Sequence, residues 1–180
     1  MGKKVFIISS SPRRQGNSDL LCDEFARGTA DAGNEVTKIF LKDKKINYCT
    51  GCGYCFDNRG KCSQKDDMLE LKDKMIEADV IVMATPIYFY TMAGQLKTFI
   101  DRNCFFYTQL KSKDFYFIMT AADGAKSAMD RTMEEFRGYL SCLDRVKEKD
   151  ILYGVGAWNK GDIKSSKAIK EAYEMGRKVS

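Results

Sequence analysis

Four cysteines fall between residues 49 and 62, in CTGCGYCFDNRGKC: Cys49, Cys52, Cys55 and Cys62. Thiolates at such spacing suit four kinds of chemistry. A structural zinc site usually draws on two separated Cys-x-x-Cys knuckles, whereas here three cysteines crowd together and one follows. A thiol–disulfide pair such as Cys49 and Cys52 would work through a lowered thiol pKa, but it leaves Cys55 and Cys62 without a task. Unligated thiols are the bland alternative. A [4Fe–4S] cube needs thiolates on several corners, and two consecutive Cys-x-x-Cys steps let a short loop wrap three of them. Gly51 and Gly53 give that loop the backbone freedom to turn its amides toward the sulfurs. Cys62 is followed by Ser63, not proline, so this is not a ferredoxin loop. The cluster is the favoured expectation, with the other three left open.

The chain holds no histidine. Ser–His–Asp and Cys–His catalysis are therefore excluded, as is any metal site built on imidazole. Chemistry must come from cysteines, carboxylates or a bound cofactor, and no catalytic side chain is assigned.

Three further stretches have the composition of ligand loops. SSSPRRQGNS (residues 9–18) supplies hydroxyls, cations and a helix start, which suits a phosphate monoester. It matches neither the G-x-G-x-x-G nor the P-loop fingerprint. TPIYFYTM (residues 85–92) sets Tyr88, Phe89, Tyr90 and Met92 behind Pro86, an aromatic rim on which a flat ring can stack. TAADGA (residues 120–125) is a small-residue loop.

The elements that must position these loops alternate. KKVFIISS reads as a strand buried on both faces. A helix follows from Asn17 or Ser18, either of them a candidate N-cap, and ends near Gly33. EVTKIFL is a second strand. After the cysteine loop, DDMLELKDKMIEA reads as a helix with acids in its first turn. DVIVMATPIY is a strand whose run is expected to stop at Pro86. GQLKTFIDR, FYFIMTA, the Met129/Met133/Phe136/Leu140 stripe, DILYGVGA and the stretch around residues 163–178 continue as helix, strand, helix, strand, helix. Five strands separated by helices predict an α/β fold: a parallel sheet with helices on both faces and ligands at the carboxyl ends of its strands. No repeat or linker interrupts residues 1–180, so one domain is expected, with a cysteine-rich loop at 47–65.

Ser-Pro-Arg followed by Gly-Asn-Ser, then Thr-Pro-Ile-Tyr-Phe before Gly-Gln-Leu-Lys and Asp-Arg, resembles the NADPH-dependent FMN reductase family. The cysteine motif narrows the resemblance to its iron–sulfur flavoprotein branch. The resemblance implies a flavodoxin-like three-layer fold with a five-stranded parallel sheet in the order 2-1-3-4-5. It places an FMN phosphate on Ser9, Ser11, Arg13, Asn17 and Ser18. The ring would lie along Pro86, Ile87, Tyr88 and Phe89, with Thr120 and Asp123 on the far side. It implies a [4Fe–4S] cluster on Cys49, Cys52, Cys55 and Cys62, close to the flavin because both follow strand ends. The activity implied is an FMN-dependent NAD(P)H oxidoreductase passing hydride or electrons to a quinone, flavin or other small-molecule acceptor. The alternative is an iron–sulfur electron-transfer protein using ferredoxin. A homodimer or homotetramer that pairs at the cofactor end is also implied, and Trp158 is a candidate for that contact or for the flavin rim.

Composition bounds the rest. Charged residues make up 31% and the net charge is +5, with both signs interspersed, which does not point to a nucleic-acid partner. No apolar run approaches the about 18 residues of a membrane span. Cys22, Cys104 and Cys142 stand apart from the motif in sequence. Clustered cysteines without a recognisable secretion signal lead to the expectation of a reducing cytoplasm.

Overall fold

Alternate side chains of the first strand sort into two cores. In the computed structural model, which describes residues 2–180, β1 (Lys4–Ser9) sends Val5 and Ile7 to one side and Phe6 and Ile8 to the other. That period of two on a strand apolar at every step is what a doubly covered parallel sheet demands. The chain continues through α1 (Asn17–Asp31), β2 (Glu35–Phe40), the short α2 (Tyr54–Asp57) and α3 (Met68–Glu77). Next come β3 (Val80–Tyr88), β4 (Thr91–Met92), α4 (Gly94–Arg102), β5 (Asp114–Thr120), α5 (Asp130–Leu140), β6 (Lys147–Gly154) and α6 (Ala168–Arg177).

The parallel strands lie in the order β2-β1-β3-β5-β6, which is 2-1-3-4-5 when they alone are counted. Ile8 sits between Ile39 of β2 and Met83 of β3, and Val82 is paired with Tyr116 of β5. Leu21 and Phe25 of α1 pack with Ala172 and Met175 of α6 on one face. The other face takes Leu71 of α3, Leu96 and Phe99 of α4, and Met133 and Phe136 of α5. Phe136 stacks on Phe117 with ring centroids 4.3 Å apart. Each such fully buried side chain contributes about 1.5–3 kcal/mol by leaving water. The methionine stripe of α5 is core, as its spacing implies.

Two local expectations are corrected. Pro86 does not end β3, which runs on to Tyr88 and pairs Pro86 with Thr120. Pro86 shares its strand side with Ala84, whose carbonyl accepts from the Ser10 N–H as β1 leaves the sheet. No strand flanks Pro86 on that side, so its missing N–H interrupts no ladder. Beyond it the chain folds back as a hairpin, with β4 antiparallel to β3 through Ile87↔Met92 and Tyr88↔Thr91. The second correction concerns the start of α1. Its N-cap is Gly16, and no side chain caps the helix. A Cβ on Gly16 would stand 2.5 Å from Ser11 Oγ and 2.8 Å from the Arg13 carbonyl oxygen, so the loop closes too tightly there for a side chain.

Candidate functional site

The first loop is built by hydroxyls bonding back onto the protein. Ser9 Oγ donates to Asp19 at 2.8 Å, and Ser10 Oγ donates to the Ala84 carbonyl at 2.7 Å. Ser11 Oγ donates to the Arg13 carbonyl and accepts from the Arg13 N–H. Asp19 also accepts from the Gln15 N–H and pairs with Lys38 at 2.6 Å. Burial works to raise the Asp19 pKa, but Lys38, the Gln15 N–H and the Ser9 hydroxyl outweigh it and hold the carboxyl below its ordinary value. An ionised acid thus anchors the loop from beneath.

Asn17 does something the sequence did not announce. Its Nδ2 donates to the carbonyls of Ala157 and Asn159, and its Oδ1 accepts from the Gly161 N–H. The amide therefore clamps the segment after β6 against the start of α1. That clamp also fixes Trp158, which is 75% exposed beside the loop. What Asn17 leaves over for an anion is its backbone N–H, which has no carbonyl one turn earlier to bond.

Ser18 is different from its neighbours. Its Oγ is buried and has no hydrogen-bond partner, and the residue is 1% exposed. A buried unpaired hydroxyl costs about 1–3 kcal/mol unless something outside the protein pairs with it. Arg13 extends into solvent, whereas Arg14 pairs with Asp43 and lies over the Phe40 ring. Free helix N–H groups, an orphan hydroxyl and an unengaged guanidinium make a site whose donor set matches a phosphate dianion.

The aromatic rim is the tip of the β3–β4 hairpin. Phe89 is 97% exposed, with Tyr88 and Tyr90 partly so. Phe89 and Tyr90 both hold positive φ, +51° and +65°, a conformation side chains resist. Thr85 Oγ1 accepts from the Ala93 N–H at 2.9 Å and so ties the base of the hairpin to the start of α4. Thr120 is buried and Asp123 exposed at the carboxyl end of β5. Asp123 folds its own turn by accepting from the Ala125 N–H at 2.8 Å, while its carbonyl accepts from the Gly156 N–H.

The cysteine loop lies along α4. After β2 the chain runs along α4, where Leu41, Ile46 and Tyr48 form a groove with Gly94, Gln95 and Thr98. The cysteines then gather at the other end of that helix. Gly94 adjoins the hairpin and Arg102 adjoins the cysteines, so about 13 Å of helix separates the aromatic rim from the sulfurs. Within a single chain α4 thus lies between the two regions.

Cys49, Cys52, Cys55 and Cys62 line a cavity of about 70 Å³ with Ser63, Gln64, Arg102 and Phe105. Gly51 and Gly53 hold φ of +63° and +71°, and Gly53 opens α2, on which Cys55 rides. Arg102 forms the floor and is 1% exposed. It pairs with buried Asp66 at 2.5 Å, donates to the Asn47 carbonyl at 2.8 Å, and reaches Cys62 Sγ at 3.6 Å. Its Nε is buried with no partner. A buried guanidinium whose charge is met by Asp66 but which keeps one free N–H beside the thiols can still donate to an acceptor-rich sulfur group. The Cys52 thiol, beside the Tyr54 N–H and 3.7 Å from Ser63 Oγ, is more acidic than an ordinary thiol. Among the described residues no three His, Cys, Asp or Glu side chains are close enough together to hold a single metal ion. Cys104, isolated in sequence, also lines this cavity, a meeting that cysteine spacing does not announce.

Comparison with known proteins agrees with these features. An iron–sulfur flavoprotein of Archaeoglobus fulgidus is 45% identical over 99 residues, covering 55% of this chain and 44% of the relative. One from Methanocaldococcus jannaschii is 44% identical over 100 residues, covering 56% of this chain and 51% of its own. The matched segments thus span about half the length of these curated relatives. Among solved structures, an NAD(P)H:quinone oxidoreductase from Methanothermobacter marburgensis superimposes with a TM-score of 0.77 at 17% identity, covering 98% of this chain and 96% of that one. That likeness shows the three-layer flavodoxin-like fold. The family model described as NADPH-dependent FMN reductase matches residues 3–151, and the chain belongs to that family.

Proposed function

We propose that this chain is an FMN-dependent oxidoreductase that draws electrons from NAD(P)H and passes them to a quinone, flavin or other small-molecule acceptor. A [4Fe–4S] cluster held by Cys49, Cys52, Cys55 and Cys62 belongs to the same reading. The observation that carries it is the buried, unpartnered Ser18 hydroxyl at the start of α1, in a loop whose other hydroxyls are all engaged. Ser18, the N–H groups of the first helical turn and Arg13 would hold the phosphate. Ser9, acting through Asp19, and Ser11 fix the loop around it. Pro86, Ile87, Tyr88 and Phe89 would form the wall for the ring, with Thr120 and Asp123 opposite.

Bound FMN would supply the hydride-accepting ring position and the exchange between two-electron and one-electron chemistry. The protein's part is orientation. Thr85 braces the hairpin, the aromatic tip excludes water from one side, and Asn17 keeps Trp158 at the rim. Arg102, its charge already met by Asp66, would donate a hydrogen bond to the sulfurs through Cys62. No side chain is asked to act as a general base, which is consistent with a chain that has no histidine.

The sulfur cavity favours a second reading, an iron–sulfur electron carrier that exchanges with ferredoxin. Protein purified without oxygen and saturated with FMN separates the two. Flavin absorption, stoichiometric iron and sulfide, and steady turnover with NAD(P)H and a quinone support the reductase. Flavin and iron without turnover, together with reduction by ferredoxin, support the carrier. Protein that takes up no flavin defeats both.

A further inference from the structure

Charge is spread unevenly along the chain. Between residues 41 and 65 stand six lysines and arginines against two carboxylates, so this stretch holds four of the five units of net positive charge. Within it Asp43 pairs with Arg14, and Lys44 pairs with Glu70. The other five cations, Lys42, Lys45, Arg59, Lys61 and Lys65, are exposed and pair with no carboxylate among the described residues. Four of them are carried on tied backbone. The Lys45 N–H donates to the Asp67 carboxylate at 2.7 Å, and its carbonyl accepts from the Asp67 N–H. Gln64, next to Lys65, donates to the Tyr48 carbonyl at 2.9 Å and joins the two arms of the loop. Arg59 and Lys61 flank Gly60, whose N–H donates to the Cys55 carbonyl. A Cβ on Gly60 would stand 2.7 Å from the Phe105 carbonyl oxygen, so that turn is pressed against the chain after α4. Arg59 itself holds a φ of +52°, a conformation glycine adopts without strain. An exposed arginine kept in such a conformation is of use for its charge.

We propose that these cations form the docking surface for a small acidic protein of the one-electron carrier class, seated beside the sulfur cavity. Charge complementarity argues for that occupant. Five unpaired cations with Asp57 as the free carboxylate among them attract a surface rich in Asp and Glu and repel a basic one. A nucleic acid would answer the charge equally well. The Arg59–Lys61 turn, however, lies between Cys55 and Cys62, both of which line the cavity. A protein-borne redox centre has a use at that place and a phosphate backbone has none. Exposed charges of this kind speed encounter more than they prolong it, so the complex should form fast, part readily and weaken as salt rises. The proposal rests on the redox reading above for the class of the partner, and on the charge pattern alone for the surface.

The test measures binding of an acidic ferredoxin to the full chain, purified without oxygen, by calorimetry at about 20 and about 300 mM salt. Wild-type protein is compared with Arg59→Glu/Lys61→Glu and with Lys45→Glu/Lys65→Glu. Lys164→Glu/Lys170→Glu is the control, since both lysines are exposed and their segment packs on the opposite face of the sheet from Cys55 and Cys62. Far-ultraviolet circular dichroism checks that each variant is folded. Ferredoxin should bind wild-type protein at low salt and at least about tenfold more weakly at high salt. Each of the first two variants should weaken low-salt binding by about tenfold or more, and the control by less than about twofold. Ferredoxin that fails to bind at low salt, or that binds all the variants alike, would overturn the proposal. So would a basic cytochrome c or a single-stranded oligonucleotide that binds wild-type protein as tightly as ferredoxin does. Docking that follows the expected pattern in a protein exchanging no electrons with ferredoxin would defeat the redox reading above and leave the acidic-protein surface standing.

Discussion

Ser18 and Arg102 carry the same kind of signal at two separate places: a buried polar atom that the protein itself does not satisfy. In a chain whose neighbouring hydroxyls are bonded throughout, such an atom is best explained by a partner from outside. Ser18→Ala should therefore weaken FMN binding about tenfold while leaving the melting temperature of the flavin-free protein unchanged or slightly higher, as a flavin fluorescence titration beside a thermal melt would show. Asp66→Asn should behave in the opposite manner. It leaves Arg102 buried beside a neutral partner and should cost about 3 kcal/mol of stability in urea unfolding. Asp19 gives a pH dependence with a definite sign. Its carboxyl is held below its ordinary value in the folded protein, so its contribution is present above the unfolded pKa of about 4 and lost as pH falls through the folded value. Asp19→Asn should flatten the stability–pH curve in that acid range, measured by urea unfolding between about pH 2 and 6.

At the scale of elements, hydrophobic periodicity located β1, β2, α3, α4, β5, α5 and α6 because each presents a regular apolar face to one of the two cores. The β3–β4 hairpin was not legible. Its turn residues are Phe89 and Tyr90, not the Asn-Gly or Asp-Gly pair that announces a two-residue turn, and Pro86 reads as a stop unless the end of β1 is known. The cap of α1 was misassigned for a related reason. Asn17 has the chemistry of a cap, but its partners lie beyond β6, far away in sequence. The positive φ at Phe89 is strain held in a solvent-exposed aromatic, the pattern expected where a side chain is kept for binding at some cost in stability. Phe89→Gly should raise unfolding stability by about 1 kcal/mol and weaken FMN binding at the same time. A stability gain without loss of flavin would remove Phe89 from the ring wall.

Across the whole molecule, strand alternation announced a parallel α/β sheet and family resemblance supplied its order, while the meeting of Cys104 with the cysteine loop followed from neither. That contact is created by α4 running from the hairpin to the sulfur cavity, and no local pattern encodes it. Under the proposed function, electrons passing between flavin and cluster within one chain would have to cross the length of this helix. With the rim and the sulfurs at its opposite ends, a second copy of the chain could shorten the route between them. Exposed aromatics at both ends, Phe89 and Tyr90 at the rim with Tyr48 and Phe56 on the cysteine loop, suit such pairing. The 20.5 kDa chain should therefore sediment as a dimer or tetramer, and Phe56→Asp should shift it toward monomer in sedimentation velocity.

The proposed flavin chemistry depends on one feature, a phosphate anchored where β1 gives way to α1. The most direct measurement titrates flavin-free protein with FMN and, separately, with riboflavin, which carries the same ring without the phosphate. One FMN per chain should bind, at least about a hundredfold more tightly than riboflavin. Equal affinity for the two, or no binding of either, would contradict it.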